Sequence, residues 1–178
     1  MKPLSLVVLL LAAGLVRADV LTIKNDSLEL RYDSASKRFA LVSRQQTVLS
    51  DGSLDQGAGE AKVISINHPI FGKGQAIEAG SAKLMVFPSL PFVLIRSTLR
   101  NPTADIQDLN RVPIATATVN LQGDLMTMGT GGLQTPEKNT GSYAWLAIAE
   151  PAARHGIVAG WITDDRGSGV VFSSTRLC

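Results

Sequence analysis

Cysteine is nearly missing from this sequence: among 178 residues the single one is Cys178, the last. A disulfide within one monomer is therefore excluded, and so is every cysteine-based zinc pattern. Histidine is almost as scarce. His68 and His155 are the two, standing before Pro69 and Gly156. Neither has a partner at metal-ligand spacing, and both read as surface turn residues. Charge of one sign is lacking as well, with 17 basic against 15 acidic residues and a formal net charge of +2. That balance leaves no basic footprint for nucleic acid, and no basic cluster marks a membrane surface. No Gly-x-Ser-x-Gly elbow stands at a strand–helix junction. A Ser-His-Asp triad is defined in space rather than along the chain, so it stays open. No motif calls for a metal or a cofactor.

The one long apolar run lies at the start. Lys2 supplies a positive beginning, "LSLVVLLLAAGLV" follows from Leu4 to Val16, and "VRA" ends with Val16 and Ala18 at the small-residue positions of a cleavage site. Residues 1–18 read as a secretory signal peptide cut after Ala18, which implies a secreted or periplasmic protein. The run is short of the roughly 20 apolar residues of a stable membrane span; an uncleaved anchor is the rival reading. Loss of Lys2 and Arg17 leaves 15 basic and 15 acidic residues, a formally neutral mature chain. Without disulfides that chain depends on its core. About 160 residues bury roughly two-thirds of their unfolded surface, enough for one domain over 19–178.

Beyond the leader the pattern is alternation rather than helical periodicity. In "SLELRYD", Leu28, Leu30 and Tyr32 share one face while Ser27, Glu29 and Arg31 share the other. The turn "SASK" leads to "RFALVS", so a hairpin is expected. "QTVLS" is a further strand, followed by an expected loop, Asp51–Glu60, rich in Gly and Asp, which offers some oxygens for calcium but lacks EF-hand spacing. "AKVISI" is a strand stopped by "NHP". Lys83–Phe87 and Phe92–Leu99 are strands on either side of "PSLP". The second is apolar on both faces in its first half, the pattern of a central strand covered on both sides. Pro113 places the start of "RVPIATATVNLQ" at an edge or bulge. "GTGG", Gly129–Gly132, reads as a loop. "SYAWLAIAE", "HGIVAGWIT" and "GVVFSS" complete ten to twelve short strands. The expected fold is an all-β antiparallel β-sandwich. Asn25 begins Asn-Asp-Ser, a glycosylation sequon that matters in a glycosylating host.

The most distinctive stretch is "GWITDDRGSGVVFS", residues 160–173. Asp164 to Ser168 lies between two strand-like runs, and its turn-formers are explained by a hairpin loop without any function. As the two carboxylates of a glycosidase, Asp164 and Asp165 would need separations of roughly 5 to 9.5 Å. Neighbours on a strand point to opposite faces, so only a splaying turn achieves that. A phosphate cradle is weaker, because Gly-Ser-Gly opens no helix. The third reading is carbohydrate contact. Trp161 offers a face for the C–H side of a sugar, and Asp164, Asp165 and Arg166 offer acceptors and donors for its hydroxyls, on loops where such groups collect. Against it, alternation favours a core position for Trp161, and more so for Trp145.

"LELRYDSASKRFAL", "FPSLPFVLIRSTLRNPT" and above all "GIVAGWITDDRGSGVVFS" resemble segments of the β-sandwich domains that precede the catalytic barrel in secreted bacterial melibiase-type alpha-galactosidase-like glycoside hydrolases. The resemblance covers most of the mature chain at the level of strands and is most specific at 157–172. It implies a supersandwich-like fold and a carbohydrate partner. It also implies a β/α barrel of about 250 residues carrying the catalytic carboxylates. That barrel is missing from this chain, so a truncated reading frame is expected and no catalytic residue is carried over. The function implied is a non-catalytic domain supporting the barrel and lending a loop, residues 161–166, to the substrate site. A stand-alone carbohydrate-binding or adhesive envelope module is the alternative, and a complete small hydrolase ranks last.

Overall fold

A computed structural model describes residues 19–57, 59–106, 108–163 and 167–175. The expected leader, residues 1–18, lies outside the described residues. Among the described residues there is no helix, and fifteen strands pair antiparallel throughout.

The first sheet joins β1 (Val20–Lys24), β2 (Leu28–Asp33), β3 (Arg38–Ser43), β4 (Gln46–Leu54) and β9 (Ala115–Val119) in that spatial order. The second is a meander of β5 (Ala61–His68), β6 (Gly72–Ala79), β7 (Ala82–Val86) and β8 (Val93–Ser97). Alternation puts Ile23, Leu30, Tyr32 and Phe39 of the first sheet on one face. The same rule puts Ile77, Ala79, Ala82, Leu84 and Val86 of the second sheet on another. These two faces share a single buried cluster. The sheets therefore stack face to face, the arrangement in which two half-apolar sheets each hide their inner side from water. The expected faces of β2 hold: Leu28, Leu30 and Tyr32 are buried.

A third sheet has the order β11 (Gly132–Gln134), β10 (Met126–Gly129), β13 (Trp145–Glu150), β14 (His155–Gly160), and β12 (Gly141–Tyr143) pairs with β15 (Val170–Phe172). Buried residues in these two sheets are few, chiefly Ser142 in the smaller and Leu146, Thr127 and Glu150 in the larger. On one face, Met128, Leu133, Trp145 and Val158 stay exposed.

Several expectations are corrected. The Asp51–Glu60 loop is in part strand. β4 runs on to Leu54 through an irregularity between Ser50 and Ser53, where Asp51 takes a φ of 50°. Gly52 reads as a loop-former but is there for packing, since a Cβ would lie 2.5 Å from the Phe39 ring. β6 escaped the sequence reading because Gly72 and Gly74 interrupt its pattern. At 74 a Cβ would meet the Val86 carbonyl oxygen at 2.7 Å, so the glycine lets two chains close up. β8 is an edge strand rather than a central one. The strand with both faces buried is β7, and β8 is apolar on both sides because Phe71, Leu90 and Phe92 cover its outer face. β9 does lie at an edge, two residues after Pro113. The loop expected at Gly129–Gly132 is there but shorter: Thr130 and Gly131 form the two-residue turn of the β10–β11 hairpin, and the glycines on either side pair with each other. The strands on either side of Asp164–Ser168 form no hairpin together: β14 pairs with β13, and β15 with β12.

Side chains fix the turns. Asn25 Oδ1 accepts from the backbone N–H groups of Ser27 and Leu28 at 2.9 and 2.8 Å. Its Nδ2 donates to the carbonyls of Phe87 and Leu90 at 2.6 and 2.8 Å, tying the first hairpin to the β7–β8 loop. Asp33 Oδ1 accepts from Ala35 and Ser36 N–H at 2.8 and 3.0 Å. Those bonds, Ser36 first, hold its carboxyl below the usual range.

Two outcomes follow for stability. Arg44 and Gln45, the two-residue turn between β3 and β4, have φ of 49° and 65°. This primed turn suits Asn-Gly far better, so Arg44→Asn with Gln45→Gly raises unfolding free energy by about 1 kcal/mol in urea titration. The Tyr32 hydroxyl is buried and meets no hydrogen-bond partner among the described residues. Tyr32→Phe leaves stability unchanged or raises it by up to about 1 kcal/mol, measured the same way; a marked loss would expose a hidden partner.

Candidate functional site: an anchored tryptophan and a cationic cleft

Trp161 follows β14 directly. Its backbone N–H donates to the Ala144 carbonyl at 2.8 Å, and Ala144 N–H donates to the Gly169 carbonyl at 2.9 Å. The indole Nε1–H donates to the Val170 carbonyl at 3.3 Å. Gly169 packs against the ring so closely that a Cβ there would lie 2.2 Å from it. The ring is held in place, yet the residue keeps 42% of its accessible surface. Trp161 is thus not core. Neither is Trp145, at 38%, which corrects the expectation from alternation: among the described residues no layer covers that face of the third sheet. Asp164, Asp165 and Arg166 lie outside the described residues, so of the four expected carbohydrate-contact residues Trp161 is the one whose surroundings are described.

A second feature was missed in the sequence. Across the outer face of the second sheet the registers align Lys62, Glu78, Lys83 and Arg96 in one transverse row, one residue from each strand. Glu78 is shared, with Lys83 Nζ at 2.7 Å and Lys62 Nζ at 3.3 Å. Arg96, directly opposite Lys83, has no acidic partner among the described residues. The next row is apolar: Ile64, Ala76, Met85 and Leu94. Beside it stands an aromatic group in which Phe71 stacks on His68 at 4.8 Å and meets Phe87 and Phe92 at 5.3 and 5.2 Å. His68 Nδ1 accepts from Ile70 and Phe71 N–H, so its neutral ring carries the proton on Nε2. That is a turn role, as its position before Pro69 implied. A cleft of about 370 Å³ opens here, with Lys83, Arg96, Thr98 and His68 on its walls beside Ile66 and Met85. The signal that would have revealed it is the spacing Lys83-x-Met85 against Leu94-x-Arg96, which becomes legible once β7 and β8 are paired.

Among the described residues no three His, Cys, Asp or Glu side chains gather as metal ligands, and there is no helix long and apolar enough to cross a membrane. No family model, curated protein or solved structure matches the chain.

The shared acid gives a pH outcome. Hydrogen bonds from Lys83, and then Lys62, hold the Glu78 carboxyl below the usual range. A depressed folded value means the contribution is full above the unfolded carboxylate range near pH 4.3 and fades as pH falls through the folded value. Glu78→Gln therefore flattens the acid limb of the stability–pH curve, read by thermal melts between pH 3 and 7, and changes little above it.

Proposed function

We propose that this chain is the non-catalytic, supersandwich-like β-sandwich domain of a secreted or periplasmic glycoside hydrolase acting on alpha-galactosides or related glycans. In this reading it stands beside a catalytic β/α barrel and lends the segment around Trp161 to carbohydrate. The observation that carries it is the anchored, exposed indole. An aromatic ring fixed by Gly169 and by its own N–H, and still open to water, binds the apolar face of a sugar with little ordering cost. Asp164, Asp165 and Arg166, three to five residues further along the chain, supply the polar groups such contact needs. The exposure of Tyr143 and Trp145 favours a second reading, a stand-alone carbohydrate-binding module, since three open aromatics serve binding without any neighbouring domain.

The test uses the purified protein. No turnover of aryl alpha-galactosides is expected, together with saturable glycan binding that Trp161→Ala weakens severalfold, as befits an aromatic contact of about 1 kcal/mol. Turnover abolished by Asp164→Asn or Asp165→Asn overturns the proposal, and so does an absence of glycan binding across a broad array.

A further inference from the structure

We propose that the cleft on the outer face of the second sheet is a binding site for a carboxylate-bearing sugar. Arg96 and Lys83 take the carboxylate, and Ile66 and Met85 lie under the ring. That the acid is a sugar rests on the carbohydrate reading above; that the cleft binds an anion stands without it.

Three features carry the inference. First, the charged row is unbalanced. Lys62, Lys83 and Arg96 face one acid, and that acid is already bridged by both lysines. Like charges directly opposite on neighbouring strands repel, and the Lys83–Arg96 pair is such a pair. An anion between them removes the repulsion. Second, the imbalance coincides with a concavity. At about 370 Å³ the cleft falls at the small end of ligand sites, the size of one or two sugar rings. Third, its lining is mixed in the manner of such sites: an apolar floor with a few polar groups at the rim, here Thr98, His68 and the two cations. Arg96 offers a planar fork that matches a carboxylate with two parallel hydrogen bonds. Lys83 spends one donor on Glu78 and retains two.

The amide NMR spectrum of the labelled protein, titrated with galacturonate, galactose and benzoate, tests this. Galacturonate should shift β7 and β8 amides saturably, with galactose silent there at equal concentration. Arg96→Gln and Lys83→Met should each weaken binding about tenfold, the loss expected for a hydrogen bond to a charged partner. Arg96 is exposed, so its replacement keeps the fold, which spectral dispersion verifies. Trp161→Ala should leave these shifts unchanged. Equal response to galactose, or undiminished binding in both cleft variants, overturns the site. Benzoate binding without galacturonate binding overturns its sugar specificity. Loss of array binding in Trp161→Ala with intact galacturonate shifts separates this site from the one around the tryptophan.

Discussion

Stacking of the first two sheets is the constraint on which the rest depends. Tyr32, Leu30, Phe39 and Ile23 on one side and Ile77, Leu84 and Val86 on the other hide each other from water. Because side chains alternate with period two, a slip of one residue in any of these strands would turn its apolar set outward and its charges inward. The registers are therefore fixed by burial. Once they are fixed, the outer residues have no freedom either: Lys62, Glu78, Lys83 and Arg96 come into line because their neighbours Val63, Ile77, Leu84 and Ile95 must face the other way.

The two ends of the described chain solve the burial problem differently. The second sheet is packed on both sides, by the first sheet within and in part by Phe71, Phe87, Leu90 and Phe92 without. The third sheet buries Leu146 and Thr127 but leaves Met128, Leu133, Trp145 and Val158 to solvent on its other side. Trp161 sits at the margin of that sheet, held by the backbone of a crossing segment rather than by a core.

Much of the fold was legible where one face is polar. "SLELRYD" announced both its strand and its buried side, and Pro113 announced an edge. The reading failed where glycine serves close packing rather than turning. Gly52 under Phe39 and Gly74 against Val86 carry the signature of loops, yet they lie within β4 and β6. It also failed over long range. Nothing local in "GWITDDRGSGVVFS" tells that β14 returns to β13 while β15 crosses to β12, since pairing depends on partners elsewhere in the chain. Of the candidate site, Trp161 was legible as an aromatic among polar residues. Its exposure was not, because alternation predicts sides and does not say whether a second layer covers them. The cationic row was invisible for the same reason: its three cations, Lys62, Lys83 and Arg96, are 13 to 34 residues apart.

Asn25 carries a last consequence. The nitrogen that a glycan would occupy in its sequon is the one that fastens the first hairpin to the carbonyls of Phe87 and Leu90. A sugar attached there leaves that nitrogen a single hydrogen, too few for both carbonyls. Passage through a eukaryotic secretory pathway would thus set oligosaccharide transfer against closure of this latch, whereas a bacterial export route lacking such a transferase would leave it intact.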